Sequence, residues 1–119
     1  MSVFTHAILI KPLSVNEVWK GRRYKTKAYQ AYETEMLYHL PKIKVPQGDF
    51  HLTITAGFSN RNADLDNCAK PFIDILQKKY GFNDNRIYKL SMIKKIVNKG
   101  AEFIAFNFRE MGHNEIDGL

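Results

Sequence analysis

Between Phe50 and Tyr80 the hydrophobic pattern changes period once, and that change narrows the folds open to this chain more than any other feature. In Phe50 to Phe58 (FHLTITAGF) the apolar Phe50, Leu52 and Ile54 alternate with His51, Thr53 and Thr55, the period of two of a half-buried strand. A polar loop follows from Ser59 to Ala63. From Asp64 to Tyr80 the period becomes helical: Cys68, Ala69, Phe72, Ile73, Ile75 and Leu76 share one side, and Asn67, Lys70, Asp74, Gln77 and Lys78 the other. A strand and a helix that each bury one face must pack against a second layer.

The rest of the chain supplies that layer. Val3 to Lys11 (VFTHAILIK) is apolar and β-branched enough for a buried strand, stopped by Pro12, which has no N–H to donate. Ser14 to Thr26 has neither period and reads as a long basic loop. Lys27 to Leu40 places Tyr29, Tyr32, Met36 and Leu40 on one helical face and ends at Pro41. Arg86 to Val97 and Ala101 to Phe108 read as strands joined in a hairpin through Asn98-Lys99-Gly100. The order predicted is β-α-β-α-β-β, an α+β fold of two layers with the helices packed on a mixed sheet. One domain is expected over residues 1–109, with a polar tail at 110–119 that frays.

Composition narrows the function. At 119 residues there is room for one core and one surface site. No apolar stretch approaches the roughly 18 to 20 residues that span a bilayer, so neither a membrane span nor a signal peptide is expected. A single cysteine, Cys68, makes no internal disulfide, and no Cys/His zinc spacing occurs, which points to a reducing cytoplasm. Lys and Arg number 18 against 12 Asp and Glu, a net +6 that favours a polyanionic partner, nucleic acid first.

Against that basic background, Asp64, Asp66 and Asp84 stand at element ends. Pro71 clashes with the carbonyl four residues back, so Asp64 to Asn67 is predicted to form the turn that opens the helix. Carboxylates there have two readings. They cap the helix start and the turn before the next strand, or they converge on a hard divalent cation such as Mg²⁺, with a substrate phosphate completing its shell. An EF-hand is excluded, since its sixth and twelfth positions from Asp64 hold Ala69 and Ile75. A two-carboxylate glycosidase suits the residues but not the basic balance. Lys70, four residues after Asp66, is either a solvated helix lysine or a group that meets a phosphate oxygen, with Asp74 one turn on to orient it.

The segment Trp19 to Lys27 (WKGRRYKTK) packs five cations and two aromatic rings into nine positions. Lys20, Arg22, Arg23, Lys25 and Lys27 suit phosphates, and Arg61 lies near Asp64. Trp19 and Tyr24 either stack on unpaired bases or anchor the loop to the core. Lys42, Lys44, Arg86, Lys89, Lys94 and Lys95 could extend the positive surface.

Asp64-Leu-Asp66-Asn67-Cys-Ala-Lys70-Pro71-Phe-Ile-Asp74-Ile-Leu76, then Gly81-Phe82 and Asp84-Asn-Arg-Ile87, resembles the core motif of the RusA family of Holliday junction resolvases. Pro12-Leu-Ser14-Val-Asn16 and its basic continuation resemble that family's N-terminal region. Asn83 departs from the pattern, where an acidic residue is frequent. The resemblance implies a crossover junction endodeoxyribonuclease, a small homodimer often encoded by phages or prophages. Such an enzyme cuts four-way DNA junctions by paired symmetric nicks through Mg²⁺-dependent phosphodiester hydrolysis, with Mn²⁺ able to substitute. It also implies Asp64, Asp66 and Asp84 as metal ligands and Lys70 as the active-site lysine. The competing expectation is a branched-DNA-binding module that does not cut, its aspartates serving as caps.

Overall fold

The computed structural model describes residues 4–21 and 24–111. Along them run β1 (His6–Ile8), β2 (Trp19–Lys20), β3 (Tyr24–Lys25), α1 (Lys27–His39), β4 (Phe50–Phe58), α2 (Ala69–Tyr80), β5 (Ile87–Ile96) and β6 (Phe103–Glu110). Apart from the short β2 and β3, which pair with each other, the order is β-α-β-α-β-β. The strands form a mixed four-stranded sheet ordered β1-β6-β4-β5, the α+β arrangement predicted.

Each helix has a local cause. The Thr26 side chain caps α1 by accepting from the Tyr29 N–H at 3.0 Å, and extended Leu40 ends it before Pro41. Pro71 is the third residue of α2, where no carbonyl four residues earlier belongs to the helix, and a 3-10 turn over Asp66–Cys68 precedes it. Gly81 closes α2 in the left-handed region at φ 71.

Both helices cover one face of the sheet. Tyr29, Tyr32 and Met36 of α1 and Phe72, Ile75 and Leu76 of α2 join Phe50, Leu52, Ile54, Ile104 and Phe106 in one buried cluster. The Tyr32 hydroxyl lies within it, with no hydrogen-bond partner among the described residues.

Three expectations need correction. No hairpin joins β5 to β6, because β4 lies between them, parallel to β5 and antiparallel to β6. The turn at Asn98 forms, with Ala101 N–H donating to the Asn98 carbonyl at 2.9 Å, but it carries the chain past the end of β4, where Val97 N–H donates to Phe58. Burial explains the order: Phe50, Leu52, Ile54 and Ala56 are fully buried, which suits a central strand, whereas no residue of β5 is buried. The parallel β4–β5 pair then requires a crossover, and α2 supplies it.

Second, the basic loop is partly ordered. Ser14 and Glu17 form a capping box around a 3-10 turn at Val15–Glu17, and β2 and β3 follow as an antiparallel pair. Third, β1 covers only His6–Ile8 of the predicted Val3 to Lys11, with Val3 outside the described residues. β6 runs through Glu110, and residues 112–119 of the expected tail lie outside the described residues.

Candidate functional site

The turn leading into α2 carries Asp64 and Asp66, both exposed. Asn67 Nδ2 donates to Asp64 Oδ2 at 3.3 Å, and Cys68 Sγ donates to the Leu65 carbonyl at 3.0 Å, tying the turn to itself. Burial pushes the Cys68 thiol up to about 11, so it stays protonated and serves as packing.

Lys70, the second residue of α2, donates through Nζ to Asp74 Oδ1 at 2.9 Å. That hydrogen bond and the charge behind it hold the Lys70 ammonium above its ordinary pKa, and Asp84 adds to the effect from farther off. Asp84 is fastened to the same flank of the helix: its N–H donates to Gln77 Oε1 at 3.0 Å, and Gln77 Nε2 donates to Asp74 Oδ1 at 3.5 Å. Lys70, Asp74, Gln77 and Asp84 therefore form one polar strip, exposed at Lys70 and Asp84 and half-buried at Asp74 and Gln77. Gln77 was visible in the sequence only as part of the helix's polar stripe; its spacing of three from Asp74 is the signal that links them.

The three carboxylates expected to share a metal are not gathered into one group. β4 and β5 run parallel, with Phe50 beside Ile87 and Phe58 beside Ile96. Asp64, which follows β4, and Asp84, which precedes β5, thus leave the pair at opposite ends. Among the described residues no three His, Cys, Asp or Glu side chains are placed to hold a metal ion. The donor chemistry, exposed carboxylate oxygens without thiol or imidazole, nonetheless suits a hard cation that keeps waters and takes substrate phosphate as ligand.

Asp64 also lines an open cleft of about 350 Å³, together with Lys11, Ser14, Asn16, Asn67 and Glu102. The Pro12 to Asn16 segment and the Asp64 to Asn67 turn, 48 residues apart at their closest in sequence, meet there.

The basic residues divide. Lys20, Lys27 and Arg61 are exposed, and Arg22 and Arg23 lie outside the described residues. Lys25 Nζ lies 4.3 Å from the ring centroids of both Trp19 and Tyr29. Arg86 and Lys94, which the sequence suggested for the positive surface, brace the backbone instead. Arg86 Nε donates to the Gly48 carbonyl at 2.9 Å and its guanidinium also reaches Pro46, while Lys94 Nζ donates to the Arg61 carbonyl at 2.6 Å and to Ala63. Neither aromatic ring of the basic segment anchors it: Trp19 is 50% and Tyr24 73% exposed, and Val18, at 5%, is the anchor.

Among the described residues no helix is long and apolar enough to cross a membrane. No protein-family model matches the chain, and no curated protein matches it.

Proposed function

We propose that this chain is a structure-specific DNA endonuclease that resolves four-way junctions by paired symmetric nicks through Mg²⁺-dependent phosphodiester hydrolysis, acting as a homodimer in the cytoplasm. The observation that carries the reading is the Lys70–Asp74 contact of 2.9 Å, with Asp84 adding its charge from farther off, on the helix that follows the turn carrying Asp64 and Asp66. An ammonium fixed by one carboxylate and kept charged is a ready partner for the charge that develops on a phosphate during displacement.

Asp64 and Asp66 would hold the cation from the turn, while Asp84, at the opposite end of the β4–β5 pair, adds its charge near Lys70 instead; the metal, when bound, polarises the scissile phosphate and lowers the pKa of water. Lys70 donates to a non-bridging phosphate oxygen and keeps its orientation through Asp74. Gln77 holds the Asp84 backbone against α2, so that carboxylate keeps its place beside the lysine. Lys20 and Lys27, with Arg22 and Arg23, take the phosphates of the DNA arms, and Arg61 does so next to Asp64.

Two cuts on symmetry-related strands need two such sites, and a two-fold dimer matches a two-fold junction. Among the described residues β5 is an edge strand bonded to β4 alone, with Leu90, Ile93 and Ile96 each more than two-fifths exposed, which supports a partner along that edge.

The second reading, a branched-DNA-binding module that does not cut, is favoured by the dispersal of the three carboxylates and by the Asn67–Asp64 bond, which fits a helix-opening turn. Strand-mapped assay of a synthetic four-way junction with Mg²⁺ or Mn²⁺ separates the two. Symmetric nicks support the endonuclease; tight binding with intact strands under both metals leaves the binding module.

A further inference from the structure

Trp19 and Lys25 face each other across the β2–β3 pair, and the Lys25 ammonium is sandwiched between the rings of Trp19 and Tyr29, 4.3 Å from each centroid. The far side of this stack is also tied down. The Tyr29 hydroxyl donates to Glu33 Oε2 at 2.8 Å, and Lys78 of α2 donates to Glu33 Oε1 at 3.1 Å. A line of contacts thus runs from α2 through α1 to the hairpin and ends at Trp19. The ammonium lies over the indole, and Trp19 as a whole remains 50% exposed.

A large ring held in position yet left in water does nothing for the core, which Val18 already anchors. Its surroundings are cationic: residues 19–27 contain no acidic side chain, and Lys20 and Lys27 are exposed. We propose that Trp19 is a stacking platform for an unpaired nucleobase of DNA, with exposed Lys27 engaging an adjoining phosphate. Every base offers a π-face, so the platform selects unpaired over paired DNA and not one sequence over another. A ring already ordered by Lys25 loses little freedom on binding. The proposal rests on the DNA-binding half of the function read above and is independent of cleavage.

Trp19 is the only tryptophan, so indole fluorescence reports this ring alone. The full chain is titrated with a dye-labelled oligothymidylate and with a blunt duplex of equal length, following dye anisotropy and indole emission together. The expected result is quenching that saturates in step with anisotropy for the single strand and is absent for the duplex. Trp19→Ala weakens single-strand binding roughly ten-fold and leaves duplex binding unchanged. Tyr24→Ala, on the opposite face of the β2–β3 pair, leaves the quenching intact. Anisotropy that rises without quenching, or equal quenching by both DNAs, overturns the platform while DNA binding stands. No response of either signal to any DNA removes the platform and the DNA reading together, and leaves the exposed ring to a protein partner. The wild-type titration needs no variant, so it decides the matter even where Trp19→Ala fails to fold.

Discussion

Lys70 Nζ sits 2.9 Å from Asp74 Oδ1, one helical turn along α2, and this pair is the best-defined charged contact of the candidate site. Because Asp74 raises the Lys70 pKa, the ammonium persists above the ordinary lysine value of 10.5. The pair's contribution is present below that value and is lost only as pH rises through the raised one. Asp74→Asn should therefore pull the alkaline limb of a cleavage profile to lower pH. The same change should lower kcat about ten-fold, equivalent to about 1.4 kcal/mol of misorientation, with little change in KM. An alkaline limb identical in wild type and variant would show that Asp74 does not act through Lys70. Lys70→Gln, which removes the charge, should cost more than Asp74→Asn.

Arg86 and Lys27 should part company under mutation. Arg86→Ala strips donors from the Gly48 and Pro46 carbonyls and is expected to cost about 1–3 kcal/mol in urea unfolding, with the salt dependence of DNA binding unchanged. Lys27→Ala should change stability by less than about 0.5 kcal/mol and reduce the log–log salt slope by about 0.9. The reverse pattern would mean that Arg86 is the phosphate contact.

Gly57 of β4 and Phe103 of β6 are cross-strand partners, and the Phe103 ring lies where a Cβ on Gly57 would stand. Gly57→Ala is expected to destabilise by about 1–3 kcal/mol through forced displacement of the ring. Adding Phe103→Ala should recover part of that loss, seen as a coupling of about 1 kcal/mol in a double-mutant cycle of denaturant midpoints. Simple additivity would mean the ring moves aside freely.

Tyr32 buries a hydroxyl without a partner among the described residues, and burial pushes its phenol far up. Tyr32→Phe keeps the ring and removes the stranded group, so stability should rise by about 1 kcal/mol. A loss of stability would reveal a partner for the hydroxyl.

How far these features were legible in the sequence depends on how local their causes are. The bounds of β4 follow from alternation that one burial face imposes on Phe50, Leu52 and Ile54. The end of α2 follows from Gly81, and its opening turn from Pro71. The neighbours of β4 depend on which strand buries most, a comparison across the whole chain that adjacency in sequence hides; hence the mistaken β5–β6 hairpin. Arg86 and Lys94 look in sequence like any surface cation, because a carbonyl partner 38 or 31 residues away leaves no mark on spacing. The aspartates were legible as a motif, but their separation is set by the parallel register of β4 and β5. The Trp19–Lys25–Tyr29 stack left no trace in spacing, because Lys25 belongs to β3 and Tyr29 to α1.

On the proposed reading the carboxylates before α2 serve chemistry and not merely the turn. Asp66 is exposed and its side chain makes no hydrogen bond that caps the helix, so Asp66→Asn should leave folding and junction affinity intact. The decisive measurement is single-turnover cleavage of a synthetic four-way junction with Mg²⁺ by wild type and Asp66→Asn, with binding followed in parallel. Symmetric nicks are expected from the wild type, and undiminished binding with cleavage lowered by at least about a thousand-fold from the variant. Equal cleavage by both proteins, or none by the wild type, would contradict the proposed reading.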